Sequence, residues 1–322
     1  MRAVRTAAAT AAVLTYVLIV LGALVRITNS GLSCPDWPTC HGQWVLTPAD
    51  FAALPETGYT YGQVMLEWVH RLIAGVFLGP LILLLAALIY PRRRRQPVLA
   101  RAALVLVALL LVQGALGGVT VLDRNSPWSV ALHLGNALLL LTTVLFMFVR
   151  AGGERTRPGG APRVARAAAL AWGVALLAMA GAAVTAKSGA SLACSTWPLC
   201  DGAVVPALDD PLVRIHFAHR VLAAATALAL LALAAVAWRT RYRGQAMAAL
   251  ALVTGQVALG ALVILLQVPT WNAVLHQAVG VLTFAVVATL WWRASAPAAA
   301  ASTARRTAPT IGEGHGLALR GA

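Results

Sequence analysis

Glu67-Trp68-Val69-His70-Arg71 opens an apolar run that continues without a charge from Leu72 to Tyr90. An acid and a histidine three residues apart lie on one face of a helix. The run behind them is long enough to cross a bilayer, so the pair stands just inside a membrane boundary. Ionisable groups at that depth are costly, and by default they point to function. A second version of the stretch, His216-Phe217-Ala218-His219-Arg220, opens a second such run.

Working outward, the 322 residues are 60% hydrophobic and 11% charged, against roughly 25% charged in soluble domains. Apolar runs of bilayer-crossing length cover about 7–26, 64–90, 102–122, 129–149, 167–187, 212–238, 245–265 and 272–292. The first is not read as a cleaved signal: it has no small-residue cleavage site and leads into sequence that recurs later. The net charge of +15 would suit nucleic acid, but its distribution argues against that partner. Arginines crowd every second connection (Arg92 to Arg95 and Arg101; Arg150 to Arg166; Arg239, Arg241 and Arg243) and both chain ends. This is the positive-inside pattern of a multi-pass protein of the cell membrane, with both termini cytoplasmic and the lipid bilayer as its surroundings.

The intervening connections carry an internal repeat. Cys34-Pro-Asp-Trp-Pro-Thr-Cys40 in one long outer loop matches Cys194-Ser-Thr-Trp-Pro-Leu-Cys200 in another. His70-Arg71 matches His219-Arg220, Gln113 matches Gln256, and Trp128 and His133 match Trp271 and His276. Thr47-Pro48 predicts a short helix to about Ala53 that the second loop lacks. The expected fold is all-α and integral to the membrane: eight transmembrane helices arranged as two parallel-repeat four-helix bundles. Residues 1–150 form one half, 151–166 a cytoplasmic linker and 167–293 the other half. Residues 294–322 read as a disordered cytoplasmic tail.

All four cysteines lie in the outer loops, where disulfides persist. The natural bridges are Cys34–Cys40 and Cys194–Cys200, as structural staples or as redox-active pairs. Their spacing fits no common zinc site. The histidines give the sharper signal. His133 and His276 each lie six residues past a predicted helix start, ~9 Å into the helix. His70 and His219 enter from the long loops at similar depth. Two imidazoles per four-helix unit, facing a bundle core, suit a bis-histidine haem in each half. Gly75, Gly79, Gly114, Gly117 and Gly118 either make room for a porphyrin face or serve ordinary close helix packing. His216 shares a face with His219 and is an alternative ligand, although repeat matching favours His219. Glu67 is either an arginine-paired group at a helix end or a proton acceptor beside one iron only. Arg71 and Arg220 are candidates for haem propionates or anchors of helix ends.

Together these residues resemble the haem A synthase family, over roughly 7–292. The resemblance rests on eight spans in two repeated halves, histidines on the even-numbered spans, Glu-x-x-His-Arg in span 2, and paired loop cysteines. It implies an oxidoreductase that converts haem O to haem A by oxidising the methyl at ring position 8 to a formyl group through successive hydroxylations. It implies that the N-terminal half takes the substrate haem at His70 and His133. The C-terminal half would keep a haem b at His219 and His276. Glu67 matches the family's acidic residue, and Cys34 and Cys40 match its loop pair. Haem O synthase and terminal-oxidase assembly factors are the implied partners, with an electron acceptor or donor that sequence does not name; a homo-oligomer is compatible with it. The competing readings are a di-haem b cytochrome that carries electrons, for example from quinol, and a transporter built on repeats. The cytochrome needs the four histidines but not Glu67. The transporter would show broken helices at mid-membrane.

Overall fold

The computed structural model describes residues 1–152 and 160–295. The expected linker lies partly outside the described residues, and the expected tail lies outside them from 296 onward. The chain runs α1 (Arg2–Ile27), α2 (Pro48–Ala52), α3 (Tyr61–Leu72), a π-helical segment (Ile73–Leu78), α4 (Gly79–Ile89) and a 3-10 turn (Tyr90–Arg92). It continues with α5 (Pro97–Leu122), α6 (Pro127–Ala151), α7 (Pro162–Lys187), α8 (Pro211–Ala237), α9 (Arg243–Leu265) and α10 (Thr270–Ala294). Among the described residues eight helical spans are long and apolar enough to cross a membrane, α3 through α4 counting as one.

The spans follow the apolar runs, with one systematic difference. The helices α1, α5 and α7 begin at 2, 97 and 162, ahead of the runs at about 7, 102 and 167. Their first turns carry Arg2 and Arg5, Arg101, and Arg163 and Arg166. Long arginine stems lie along apolar surface while the charge stays in water, so a helix continues past the strictly apolar stretch. Pro97 and Pro162 mark the starts, where a missing N–H costs nothing. The short helix after Thr47 is present with a full capping box: the Thr47 hydroxyl accepts from the Asp50 N–H, and the Asp50 carboxylate accepts from the Thr47 N–H.

The helices close two rings. In the first, α1 packs on α4 and α6, and α5 joins α4 to α6. In the second, α7 packs on α8 and α10, and α9 joins α8 to α10. The rings meet through α6 against α7 and α10, and α1 against α10. Ile19, Leu138, Leu141, Val281 and Phe284 fill that seam. Polar bonds cross it too: the Trp172 indole N–H donates to the Thr142 hydroxyl at 3.1 Å and the Tyr16 hydroxyl to the Ala278 carbonyl at 3.2 Å. Each ring also has its own apolar core, and both cores sit at the arginine-rich end. Val4, Ala8, Ile89, Leu99 and Met147 close the first; Val164, Leu233, Ala237, Ala246 and Leu290 close the second. Alanines on α1 and α7 let neighbouring backbones approach closely there. The opposite end of each ring, under the cysteine loops, is where the histidines stand.

The irregular second span was not expected from its apolar run. Pro80 cannot donate to the carbonyl four residues back, and its ring crowds that carbonyl. The turn before it opens into the π-helical segment, a common accommodation inside a helix. The segment starts three residues after His70. Its counterpart α8 runs unbroken past His219.

Candidate functional site: a histidine-lined cavity under a disulfide loop

A cavity of about 960 Å³ opens in the first ring at the cysteine-loop end. His70 and His133 both line it, together with Glu67, Arg71, Trp37 and Gln113. The two imidazoles lie near enough to interact electrostatically, as His219 and His276 do in the second ring. Small residues back the rings. A Cβ on Gly22 would stand 3.2 Å from His70 Cε1, one on Gly117 3.6 Å from His133 Cε1, and one on Gly260 3.1 Å from His276 Cε1. Of the glycines singled out for room, Gly75, Gly79, Gly114 and Gly117 line the cavity. Gly118 instead packs under the indole of Trp37.

The imidazoles are short of partners. Nδ1 of His70, of His219 and of His276 is buried without a hydrogen bond among the described residues. A buried polar atom left unpaired costs free energy and calls for an explanation. A metal-bearing group seated between each pair supplies one, and neutral imidazole is the form that ligates. Among the described residues no cluster of three or more His, Cys, Asp or Glu is placed to hold a bare metal ion. Two neighbouring imidazoles without a third protein ligand suit a metal whose other ligands arrive with it, as in haem. The residues therefore fit a haem in each ring.

Two glutamines, which the sequence offered only as repeat matches, touch the histidines. The Gln113 amide nitrogen is 3.1 Å from His133 Nε2, and the Gln256 amide nitrogen is 3.3 Å from His276 Nε2. Asn136 donates to the Gln113 carbonyl oxygen at 2.7 Å and fixes the amide's direction. A glutamine inside an apolar span is itself a polar intramembrane residue, and that signal was available.

Glu67 is buried, 5% exposed, and both carboxylate oxygens accept hydrogen bonds. Arg71 Nη2 reaches Oε1 at 2.6 Å, the one ion pair among the described residues. The Cys34 N–H and the Ser33 hydroxyl donate to Oε2 at 2.9 and 3.0 Å. The arginine-paired alternative thus describes its contacts, but the group is inside the protein rather than solvated. Arg71 also donates to the carbonyls of Cys34, Asp36 and Thr39. Arg220 does the same in the second ring, to Cys194, Thr196, Pro198 and Leu199. Both guanidinium groups clasp a loop closed by the expected disulfide, Cys34–Cys40 or Cys194–Cys200. Arg220 keeps one buried donor, Nε, without an acceptor.

His216, the alternative ligand, is placed differently from His219. Its Nδ1 accepts the Cys194 N–H at 3.2 Å, the bond that Glu67 makes with Cys34. It occupies the carboxylate's structural position and holds the second loop. His41 likewise stays in its loop, with Nε2 2.9 Å from the Ser33 carbonyl.

The first loop makes a lid with its own small core of Cys34, Cys40, Leu46 and Val64. Trp37 hangs from it over Gly117 and Gly118, beside His133. Asp36 ties the tip. Partial burial works to raise its pKa, but hydrogen bonds from the Thr39 hydroxyl and from the Gly42 and His41 N–H groups outweigh it and hold the carboxyl below its ordinary 3.8. A carboxylate with a depressed folded pKa stabilises above its unfolded value, and that contribution is lost as pH falls through the folded one. The lid should therefore loosen only below about pH 3.8. Tryptophan fluorescence should show an acid transition there that Asp36→Asn removes. An unchanged transition in that variant would take the tip's stability away from Asp36.

Compared with known families, residues 5–288 match COX15-CtaA, described as cytochrome oxidase assembly protein. Among curated relatives, "Heme A synthase" of Shouchella clausii (strain KSM-K16) is 34% identical over 275 residues, covering 80% of this chain and 85% of its own length. "Heme A synthase" of Symbiobacterium thermophilum is 33% identical over 279 residues, covering 81% of this chain and 86% of its own. "Heme A synthase" of Rhodospirillum centenum (strain ATCC 51521 / SW) is 32% identical over 325 residues, with 85% and 86% covered. The match spans both rings and both cysteine loops, and the chain belongs to the COX15-CtaA family of cytochrome oxidase assembly proteins, alongside the heme A synthases.

Proposed function

We propose that the chain is a haem A synthase that seats haem O between His70 and His133 and a resident haem b between His219 and His276. The observation that carries the reading is the large cavity, mostly within the first ring, with the imidazoles of His70 and His133 in an otherwise mostly apolar wall. The two rings are then the copies of a parallel repeat that have taken different work: residues 1–150 the substrate, residues 167–293 the electron-carrying centre. When bound, haem b supplies one-electron redox chemistry. His219 on α8 and His276 on α10 would hold it, and Arg220 Nε, a buried donor without an acceptor among the described residues, would be the donor in that ring for a propionate.

The reaction takes the C8 methyl of haem O to a formyl group by successive hydroxylations. Each hydroxylation replaces a carbon-bound hydrogen by a hydroxyl and oxidises the methyl carbon by two electrons; the second gives a gem-diol that loses water to leave the formyl group. Glu67 lines the cavity beside His70, and its carboxylate is the one acid in the wall. It accepts a proton at Oε1 or Oε2 as charge develops on the substrate, with Arg71 balancing it. The Trp37 lid restricts water at the reacting edge. The π-helical segment next to His70, absent beside His219, gives the substrate-side imidazole a helix that can re-register as substrate enters and product leaves.

The test is conversion. Expressed in membranes that accumulate haem O and lack haem A, the chain should produce haem A; none at normal expression would overturn the reading. Orientation follows from the arginines: the termini and Arg92 to Arg95 face the cytoplasm and the cysteine loops face outward. A reporter fused at Arg94 should read as cytoplasmic. Activity of an exported reporter at that site would reverse the topology.

A further inference from the structure

Six cations stand at the cysteine-loop end of the spans: Arg26, Arg71, Arg124, Lys187, Arg214 and Arg220. Arg71 and Arg220 clasp the loops. Arg214 donates to the Leu208 and Asp209 carbonyls. Arg124 is exposed in the turn between α5 and α6. Arg26 and Lys187 are different: both are partly buried and both line the cavity. Among the described residues neither forms an ion pair, and Lys187 meets Arg26 as its charged neighbour.

Two like charges side by side and partly out of water are unfavourable without a counter-charge. Among the described residues no carboxylate pairs with either. The charged residues in the cavity wall are Arg26, Glu67, Arg71 and Lys187. Glu67 and Arg71 cancel as an ion pair, which leaves two positive charges at the mouth. Their height is set by the helices. Gly22 backs His70, and Arg26 lies one turn, ~6 Å, nearer the loop end of α1. On α7, Ala183 lines the cavity and Lys187 stands one turn beyond it. A flat apolar molecule bound at the imidazoles, with two anionic arms on one edge, would fill this shape and neutralise both charges.

We propose that Arg26 and Lys187 form a dicarboxylate clamp at the mouth of the cavity, each receiving one propionate of the substrate haem. The proposal rests on the reading of the cavity as the haem O site. One cation comes from each ring, so substrate seating draws on the seam between them. The clamp also orients the porphyrin: with its propionate edge held at the loop end, the opposite edge points down between α1, α4 and α5. Two histidine ligands alone would not fix which edge of the ring faces the loop end; the clamp would.

The experiment titrates the purified full chain, its haem b retained, with haem O and with haem O dimethyl ester. Absorbance reports binding, and His70→Leu/His133→Leu defines the component that belongs to the cavity. The wild type should bind the diacid about a hundredfold more tightly than the ester, roughly tenfold for each charge-assisted contact. Arg26→Gln and Lys187→Gln should each lose about tenfold of that preference. The double variant should bind both forms about equally, with its histidine-dependent spectrum unchanged. Equal binding of acid and ester by the wild type, or a preference surviving in the double variant, would overturn the clamp while leaving the haem site in place. Absence of any histidine-dependent binding would overturn the haem O reading and the clamp with it.

Discussion

Chains carrying His219→Leu or His276→Leu are expected to lose haem b, and those carrying His70→Leu or His133→Leu to keep it while losing conversion altogether. Each pair of imidazoles faces a different ring, and the apolar cores of the rings are separate clusters at the far end. Removing one imidazole therefore leaves the other ring's packing untouched. Leucine fills much of the volume of histidine; at His70 and His219 it removes an unpaired nitrogen, whereas at His133 and His276 it also leaves the Gln113 or Gln256 amide without its imidazole partner. The structural effect should be about 1–3 kcal/mol where a glutamine amide loses its partner and smaller at the other two positions, too small to unfold spans held by so much buried surface. Loss of a ligand weighs more: a haem left with one of its two histidines would be held only by that imidazole and its edge contacts, and is expected to be lost on purification. Pigment content and haem A production, measured on the same membranes, separate the two rings. Equal loss of haem b from all four variants would contradict the division.

Glu67→Gln should lower conversion by about two orders of magnitude or more, the usual scale for losing a general base. The geometry gives this substitution a second consequence. Oε1 accepts from Arg71, and Oε2 accepts from the Cys34 N–H and the Ser33 hydroxyl. An amide has one oxygen, so its NH₂ group must face either the guanidinium or the loop N–H. Leaving one buried donor unmatched costs about 1–3 kcal/mol, enough to loosen the lid without unfolding the chain. Haem b should be retained and haem O still bound, and a hydroxylated intermediate accumulates if only the later oxidation needs the carboxylate. Cys34→Ser/Cys40→Ser separates the two roles, since it loosens the same lid with the carboxylate intact. If that variant falls as far as Glu67→Gln, Glu67 acts by positioning the lid. Near-normal haem A production by Glu67→Gln, at matched protein level, would remove the residue from the mechanism.

The spans and the loop pairing were legible because their signals are local. Apolar runs set the helices, Pro97 and Pro162 set starts, and cysteines six residues apart found each other. The depth of His133 and His276 followed from counting along helices that do begin at Pro127 and Thr270. The π-helical segment was legible in Gly79-Pro80 but hidden by the apolar composition around it. Other features depend on long-range docking, which spacing does not encode. The Glu67–Arg71 pair shows in sequence as i and i+4, yet what it holds lies more than thirty residues away, at Ser33 and Cys34. His216 looked like a ligand because it shares a face with His219; only the folded loop shows that it takes the Cys194 N–H. Arg26 and Lys187 meet because α1 and α7 flank one cavity, and nothing local to either residue announces it.

The central claim is that the first ring holds a haem of a different kind from the second. It is tested most directly by extracting the pigments from the purified wild-type chain and separating them by chromatography. The account predicts haem O or haem A beside haem b. Haem b alone, from chains prepared where haem O is supplied, would contradict it and leave a di-haem electron carrier.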